Sequence, residues 1–256
     1  MSTQGTPLVE GRQVSLLYAL PEKATFEALR DINYSVDRSE FLTFIGPSGC
    51  GKTSLLKLMS GLIAPSGGTI LFKGKEFSGS PPGIGMAFQD ALLLPWRNVM
   101  NNVLLPIEIV RRPTTSDRDR AQDLLVSVGL RGFEGSASWQ LSGGMRQRVS
   151  LCRALVTEPE LVLLDEPFAA LDAFTREEMW GVLQELRAKT RCTMVLITHQ
   201  LNEAVFLSDR ILVLSRCPGR IIHEEKIDAP LPRSVEFLYT PEFLAHVDSI
   251  RRKIEH

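Results

Sequence analysis

The stretch FLTFIGPSGCGKT, residues 41–53, constrains this chain more than any other. An apolar run stops at Gly46, an octet fitting G-x-x-x-x-G-K-[ST] follows, and a helix-like segment opens at Lys52. Strand, glycine-rich turn and helix in that order let backbone amides close around phosphate oxygens. They also commit the fold to an α/β sheet with ligands beyond the carboxyl ends of its strands. Gly46, Gly49 and Gly51 free the backbone to approach an anion, with Pro47, Ser48 and Cys50 between them. Lys52 is placed to reach the outer phosphates, Thr53 offers a hydroxyl to Mg²⁺, and Ser54 completes the nucleotide-contacting stretch. Cys50 occupies a free position of the motif and is given no catalytic role.

Two more short runs end in polar chemistry. LVLL (161–164) delivers Asp165, and TMVLIT (193–198) delivers His199. Runs apolar on both faces read as buried parallel strands. Asp165 then stands where a phosphate-loop protein needs its second Mg²⁺ group, and Glu166, one residue on, could polarise an attacking water. Helices are expected at Lys52–Leu62 and Arg176–Lys189. VSLLY (14–18) and INYSV (32–36) read as antiparallel edge strands joined by LPEKATFEAL, and GGTILFKGK (67–75) as a hairpin-type strand. From about Asp90 the β pattern stops. Helices are expected at 101–110 and 118–128, separated by RRPTTSD with Thr115 or Ser116 as N-cap. A weak helix is expected at 241–254. The expected organisation is therefore an α/β core of residues 1–89 and 158–256, including the antiparallel β part, with a helical insertion at 90–157.

LSGGMRQR (141–148) has the makings of a second anion site: a hydroxyl, flexible glycines, then a helix start at Met145. One nucleotide does not need two such sites.

Composition narrows the partners. The chain has 256 residues, 44% hydrophobic, with net charge −1 and a pI near 6.5. That is enough for a substantial core, and it lacks the clustered basic face of a nucleic-acid binder. Cys50, Cys152, Cys192 and Cys217 show no CxxC spacing and fit a reducing cytosol. No apolar run approaches the roughly 20 residues of a membrane span, and the first residues, MSTQGTPLVEGRQ, have no apolar region of the signal-peptide kind.

Taken together, the motifs resemble the nucleotide-binding subunit of an ATP-binding cassette (ABC) transporter. They come in that family's order over roughly residues 8–225: Gly46–Thr53, the Q-loop glutamine Gln89, the signature LSGGMRQR, LVLLDEP, ALD at Ala170–Asp172, and His199 in ITHQ. The resemblance implies a single ABC ATPase domain over 1–256, with a RecA-like P-loop NTPase core. It implies ATP and Mg²⁺ as ligands, with Thr53, Gln89 and Asp165 around the metal, Glu166 as general base and His199 sensing the γ-phosphate. It implies a head-to-tail pair of cassettes in which Ser142, Gly143 and Gly144 close over the partner's γ-phosphate and Asp172 couples the two sites. It places Tyr18 against adenine. It implies integral-membrane permease subunits near Gln89–Trp96, a solute-binding protein acting through them, no nucleic acid, and a peripheral location on the cytoplasmic face of the cell membrane. FQDALLLPWRNV, EPFAALDAFTR and HQLNEAVFLSDRILVLSRCPGRI are similar to importers of the nitrate, sulfonate and taurine type. The alternatives are a soluble ABC ATPase in DNA repair or another non-transport role, which the short span from Thr53 to Leu141 and the slightly negative net charge disfavour, and a P-loop kinase or other metabolic enzyme, which would have no reason to carry LSGGMRQR. Ser39 stands where the family usually has Gly, Gln200 where it usually has Asp, and Thr53 where Ser is commoner.

Overall fold

The computed structural model describes residues 6–19, 21, 24–169 and 171–255. Residues 1–5, Leu20, Glu22 and Lys23 of the expected link, Ala170 of ALD, and His256 lie outside the described residues. In chain order the strands are β1 (Val9–Ala19), β2 (Thr25–Val36), β3 (Phe41–Ile45), β4 (Gly67–Phe72), β5 (Lys75–Glu76), β6 (Ile84–Ala87), β7 (Leu161–Asp165), β8 (Thr193–Thr198), β9 (Arg210–Leu214) and β10 (Ile221–Lys226). The α-helices are α1 (Lys52–Met59), α2 (Val99–Val103), α3 (Leu105–Val110), α4 (Thr115–Ser127), α5 (Gly143–Leu155), α6 (Ala173–Thr190), α7 (Leu201–Leu207) and α8 (Pro241–Glu255). The chain divides into two units, residues 1–82 with 193–256, and residues 83–192. The expected helical insertion at 90–157 falls inside the second unit, which also carries β6, β7 and α6.

In the first unit, an antiparallel sheet runs in the order β2-β1-β4-β5. A second set runs β10-β9-β3-β8, with β3 parallel to both β8 and β9. β3 and β8 are buried along their whole length, which is why each reads as a predominantly apolar run. The edge strands are longer than expected: much of LPEKATFEAL belongs to β2. Bulges between Gly11 and Leu17, with Gln13 and Asp31 at positive φ, shift the register of β1 on β2. Each bulge breaks the two-residue alternation that identifies a strand in sequence.

Helix α1 stops at Met59 rather than Leu62. Gly61 N–H bonds Leu58 O at 3.1 Å and Leu62 N–H bonds Lys57 O at 3.0 Å, the two bonds of a Schellman stop. Gly61 takes φ +73°, and a Cβ there would lie 2.1 Å from Gly79 O.

In the second unit, β6 and β7 pair in parallel. α5 packs on β6 so closely that a Cβ on Gly85 would meet Ala154 O at 2.1 Å. α2, α3 and α4 pack around α5. The expected helix at 101–110 is two helices. Leu104 N–H bonds Met100 O at 3.0 Å, but Pro106 has no N–H with which to continue the ladder. The N-cap of α4 is Thr114, not Thr115 or Ser116: its Oγ1 accepts from Asp117 N–H at 3.3 Å, and Asp117 accepts in return from Thr114 N–H at 2.7 Å. This reciprocal box satisfies two helix-end groups at once.

Among the described residues no helix is long and apolar enough to cross a membrane.

Candidate functional site

Register builds the first unit's half of the chemistry. Ile45 pairs with Thr198 across β3 and β8, so Gly46 and His199 leave the sheet side by side. Beyond Ile45 the loop turns through Gly49 (φ +77°) and Gly51 (φ +95°), conformations that favour glycine. Gly46 is required by space instead: a Cβ would lie 2.9 Å from Leu214 O and 3.0 Å from Cys50 Sγ. Nothing lies within 4 Å of the Cβ position of Gly49, so that corner of the loop faces open space. Lys52 is 5% exposed, and its ammonium donates to Gly46 O and Pro47 O, both at 2.9 Å. A buried cation bonded to its own loop holds that loop in an anion-binding shape. Burial pushes the neighbouring Cys50 thiol above its usual range, which keeps it protonated. Pro47 is half-buried, and Ser48 and Thr53 are exposed.

Tyr18, near the end of β1, is tied to this loop: its hydroxyl lies 3.0 Å from Ser54 Oγ on α1. Phe26 is its cross-strand partner, and both rings are substantially exposed. After β8, Thr198 Oγ1 donates to the buried Glu203 carboxylate and accepts from Gln200 N–H at 3.0 Å. This shapes the turn that carries the exposed His199, and Gln200 becomes the N-cap of α7. Ser39 adopts φ +62°, a conformation that glycine reaches more freely. Its N–H is held by Thr193 Oγ1 at 2.9 Å.

The second unit repeats the device. Ala87 pairs with Leu164, so Phe88–Gln89 and Asp165 emerge together. Asp165 is buried, Glu166 half-buried, and Gln89 exposed. Glu166 takes φ +43°. A non-glycine residue held there is strained, and such strain gathers at functional turns.

Ser142 caps α5, with Oγ accepting from Met145 N–H at 3.2 Å. A hydroxyl that accepts still has its proton to donate. Ser142 and Gly143 are exposed, so the helix N-terminus presents open amides. The helix starts at Gly143, two residues before the expected Met145. Asp172 caps α6, taking Thr175 N–H at 3.0 Å and the Thr175 hydroxyl at 2.7 Å. The Thr175 N–H and hydroxyl hold its carboxyl below the usual carboxylate range. Thr175 is a residue that sequence gave no reason to single out, and its methyl lies against Gly144. Trp96 is 76% exposed, so it does not pack into a core.

Comparison with known proteins bears on these sites. The model of the family described as ABC transporter matches residues 29–169. A taurine import ATP-binding protein of Pseudomonas putida is 43% identical over 86% of this chain and 83% of its own length. An aliphatic sulfonates import ATP-binding protein of Bacillus licheniformis is 45% identical over 80% of both chains. Among solved structures, a dimeric ATP-binding cassette in a post-hydrolysis state, bound to ADP and Pi, aligns with a TM-score of 0.76 at 29% identity. That alignment spans 87% of this chain and all of the other.

Proposed function

This chain belongs to the ABC transporter family of ATP-binding proteins, and from that premise we propose that it is the ATP-hydrolysing subunit of an importer for taurine, alkanesulfonates or closely similar small anions. The observation that carries the dimeric mechanism is a surplus: the chain bears a glycine loop with a buried lysine and, besides it, an exposed Ser142-capped helix N-terminus. One nucleotide engages the first. The second serves the nucleotide of another copy, so a two-fold pair makes two composite sites from one sequence.

The roles follow from chemistry. Lys52 and the amides of Gly46–Thr53 bind phosphate, with Ser54 holding Tyr18, whose ring faces adenine. Glu166 takes a proton from the attacking water, His199 donates toward the γ-phosphate, and Ser142, Gly143 and Gly144 close from the partner copy. Asp172 couples the two composite sites across the pair. Thr53, Asp165 and Gln89 offer a hydroxyl, a carboxylate and an amide oxygen. Such hard donors fit Mg²⁺, which when bound neutralises charge developing on the phosphate oxygens. Hydrolysis removes the γ-phosphate that holds the two copies together, and opening follows. The loop Gln89–Trp96 meets the membrane subunits, which receive solute from a binding protein, and the chain works on the cytoplasmic face of the cell membrane. That its relatives are import ATP-binding proteins disfavours a role in DNA repair.

The test is reconstitution of the chain with the membrane subunits that co-purify with it, measuring ATP-driven uptake of labelled taurine and alkanesulfonates. ATP hydrolysis that neither responds to the membrane subunits nor drives uptake of any sulfonate sinks the proposal. Mixed dimers sharpen it: pairing a Ser142→Arg copy with a Lys52→Ala copy should leave at most one competent composite site.

A further inference from the structure

Between β6 and α2 the chain runs from Phe88 to Arg97 without helix or strand, yet side chains brace it at several points. From α5, Gln147 Nε2 donates to Phe88 O at 3.0 Å. Also from α5, Arg153 donates through Nη2 to Ala91 O at 2.6 Å and through Nη1 to Leu92 O at 2.8 Å. From α2, the fully buried Asn102 accepts from Leu94 N–H at 2.8 Å and donates to Leu94 O at 3.2 Å.

Two features of this bracing cost free energy. Leu92 sits at φ +45°, a conformation that a branched side chain keeps only where its surroundings impose it. Arg153 is half-buried and spends its guanidinium on two carbonyls, with no ion pair among the described residues. Burial lowers its pKa accordingly. What the cost secures is presentation. Leu92 is 59% and Trp96 76% exposed, so two large apolar side chains stand in solvent on a fixed backbone.

We infer that Arg153 is a positioning residue: its fork onto Ala91 O and Leu92 O fastens the loop after Gln89 to α5, so that Leu92 and Trp96 meet the membrane subunit as part of the same body as Ser142. The inference rests on the importer function proposed above. Closure at the N-terminus of α5 then moves the partner-facing loop without slack. The geometry also states what a replacement must lose. Arginine's planar fork meets two carbonyls at once; lysine keeps the charge but is a point donor on a flexible stem.

The experiment uses the purified full chain and the assembled transporter, with Arg153→Lys and Arg153→Gln. In the chain alone, hydrogen exchange of a peptide covering 88–96 should rise about tenfold in both variants. Peptides covering 46–60 and 142–150 should be unchanged. In the transporter, uptake per ATP hydrolysed should fall sharply. Unchanged exchange at 88–96, or a rise spread evenly over 83–192 with a lowered Tm, overturns the assignment, the latter by reducing Arg153 to general packing. The exchange arm needs no membrane subunit. A wild-type chain that couples to none therefore refutes the importer function while exchange still decides the brace.

Discussion

A Cβ added to Gly144 would come within 2.9 Å of the Thr175 methyl: the signature and the start of α6 pack against each other inside one chain. Thr175 cannot easily turn aside, because Asp172 holds both its N–H and its hydroxyl. Overpacking of this kind costs about 1–3 kcal/mol, while alanine gains up to about 1 kcal/mol over glycine in a helix. The clash should win. Gly144→Ala is expected to lose about 1 kcal/mol in urea unfolding, the difference of those two terms. Adding Thr175→Ser, which keeps the hydroxyl and removes the methyl, should recover it. If Gly144→Ala is as stable as wild type, Thr175 does not dictate glycine there, and only the partner's phosphate does.

Glu166→Gln should abolish turnover and leave ATP binding intact. The amide keeps the shape of the strained turn but is not a base, and loss of a general base costs about 10²–10⁴-fold in rate. Single-turnover hydrolysis in the assembled transporter, beside equilibrium ATP binding, checks this. Near wild-type turnover would remove Glu166 from the role of base.

Tyr18 separates stacking from tethering. Stacking on an aromatic ring is worth about 1–3 kcal/mol, or roughly 5- to 150-fold in affinity. The Tyr18–Ser54 bond is worth about 0.5–1.5 kcal/mol. Tyr18→Ala should therefore weaken ATP binding more than Tyr18→Phe. Tyr18→Phe and Ser54→Ala should cost the same small amount and not add in the double variant. GTP should bind with modest loss, since a ring face does not distinguish bases. A defect confined to Phe26→Ala would move the adenine platform to the opposite strand.

Thr114 and Asp117 predict a pH dependence. The Arg111 ion pair, then the Thr114 N–H and hydroxyl, depress the Asp117 carboxyl far below its usual range. A depressed carboxylate contributes stability that is complete above its unfolded pKa, about 3.9, and is lost as pH falls through the folded value. Asp117→Asn should therefore be less stable than wild type by a constant margin from neutral pH down to about 5. That margin should shrink as pH falls below the ordinary carboxylate range. Thr114→Ala should cost about 1 kcal/mol, whereas Thr115→Ala should cost little. Acid titration of Tm for the three variants would expose an error in either assignment.

The amino-acid sequence by itself determined the strands that deliver the chemistry. FLTFI, LVLL and TMVLIT became β3, β7 and β8 because a strand buried on both faces is apolar at most positions, its few buried hydroxyls (Thr43, Thr193, Thr198) being hydrogen-bonded. The phosphate loop and the signature were legible for a similar reason: backbone amides aimed at an anion need glycine and small polar residues at fixed spacing. Tertiary structure decided what depends on partners distant in sequence. The bulges of β1 on β2 are set by cross-strand hydrogen bonds that no local periodicity records, whereas the Thr114 cap and the Schellman stop after α1 are local hydrogen bonds, three to five residues apart, that follow cap chemistry rather than apolar pattern. Thr175 against Gly144, Tyr18 against Ser54, and Arg153 on the carbonyls of Ala91 and Leu92 join residues 31, 36 and about 60 positions apart. One-dimensional pattern reports which face of an element is buried; which atom meets which is fixed only when the chain has closed on itself.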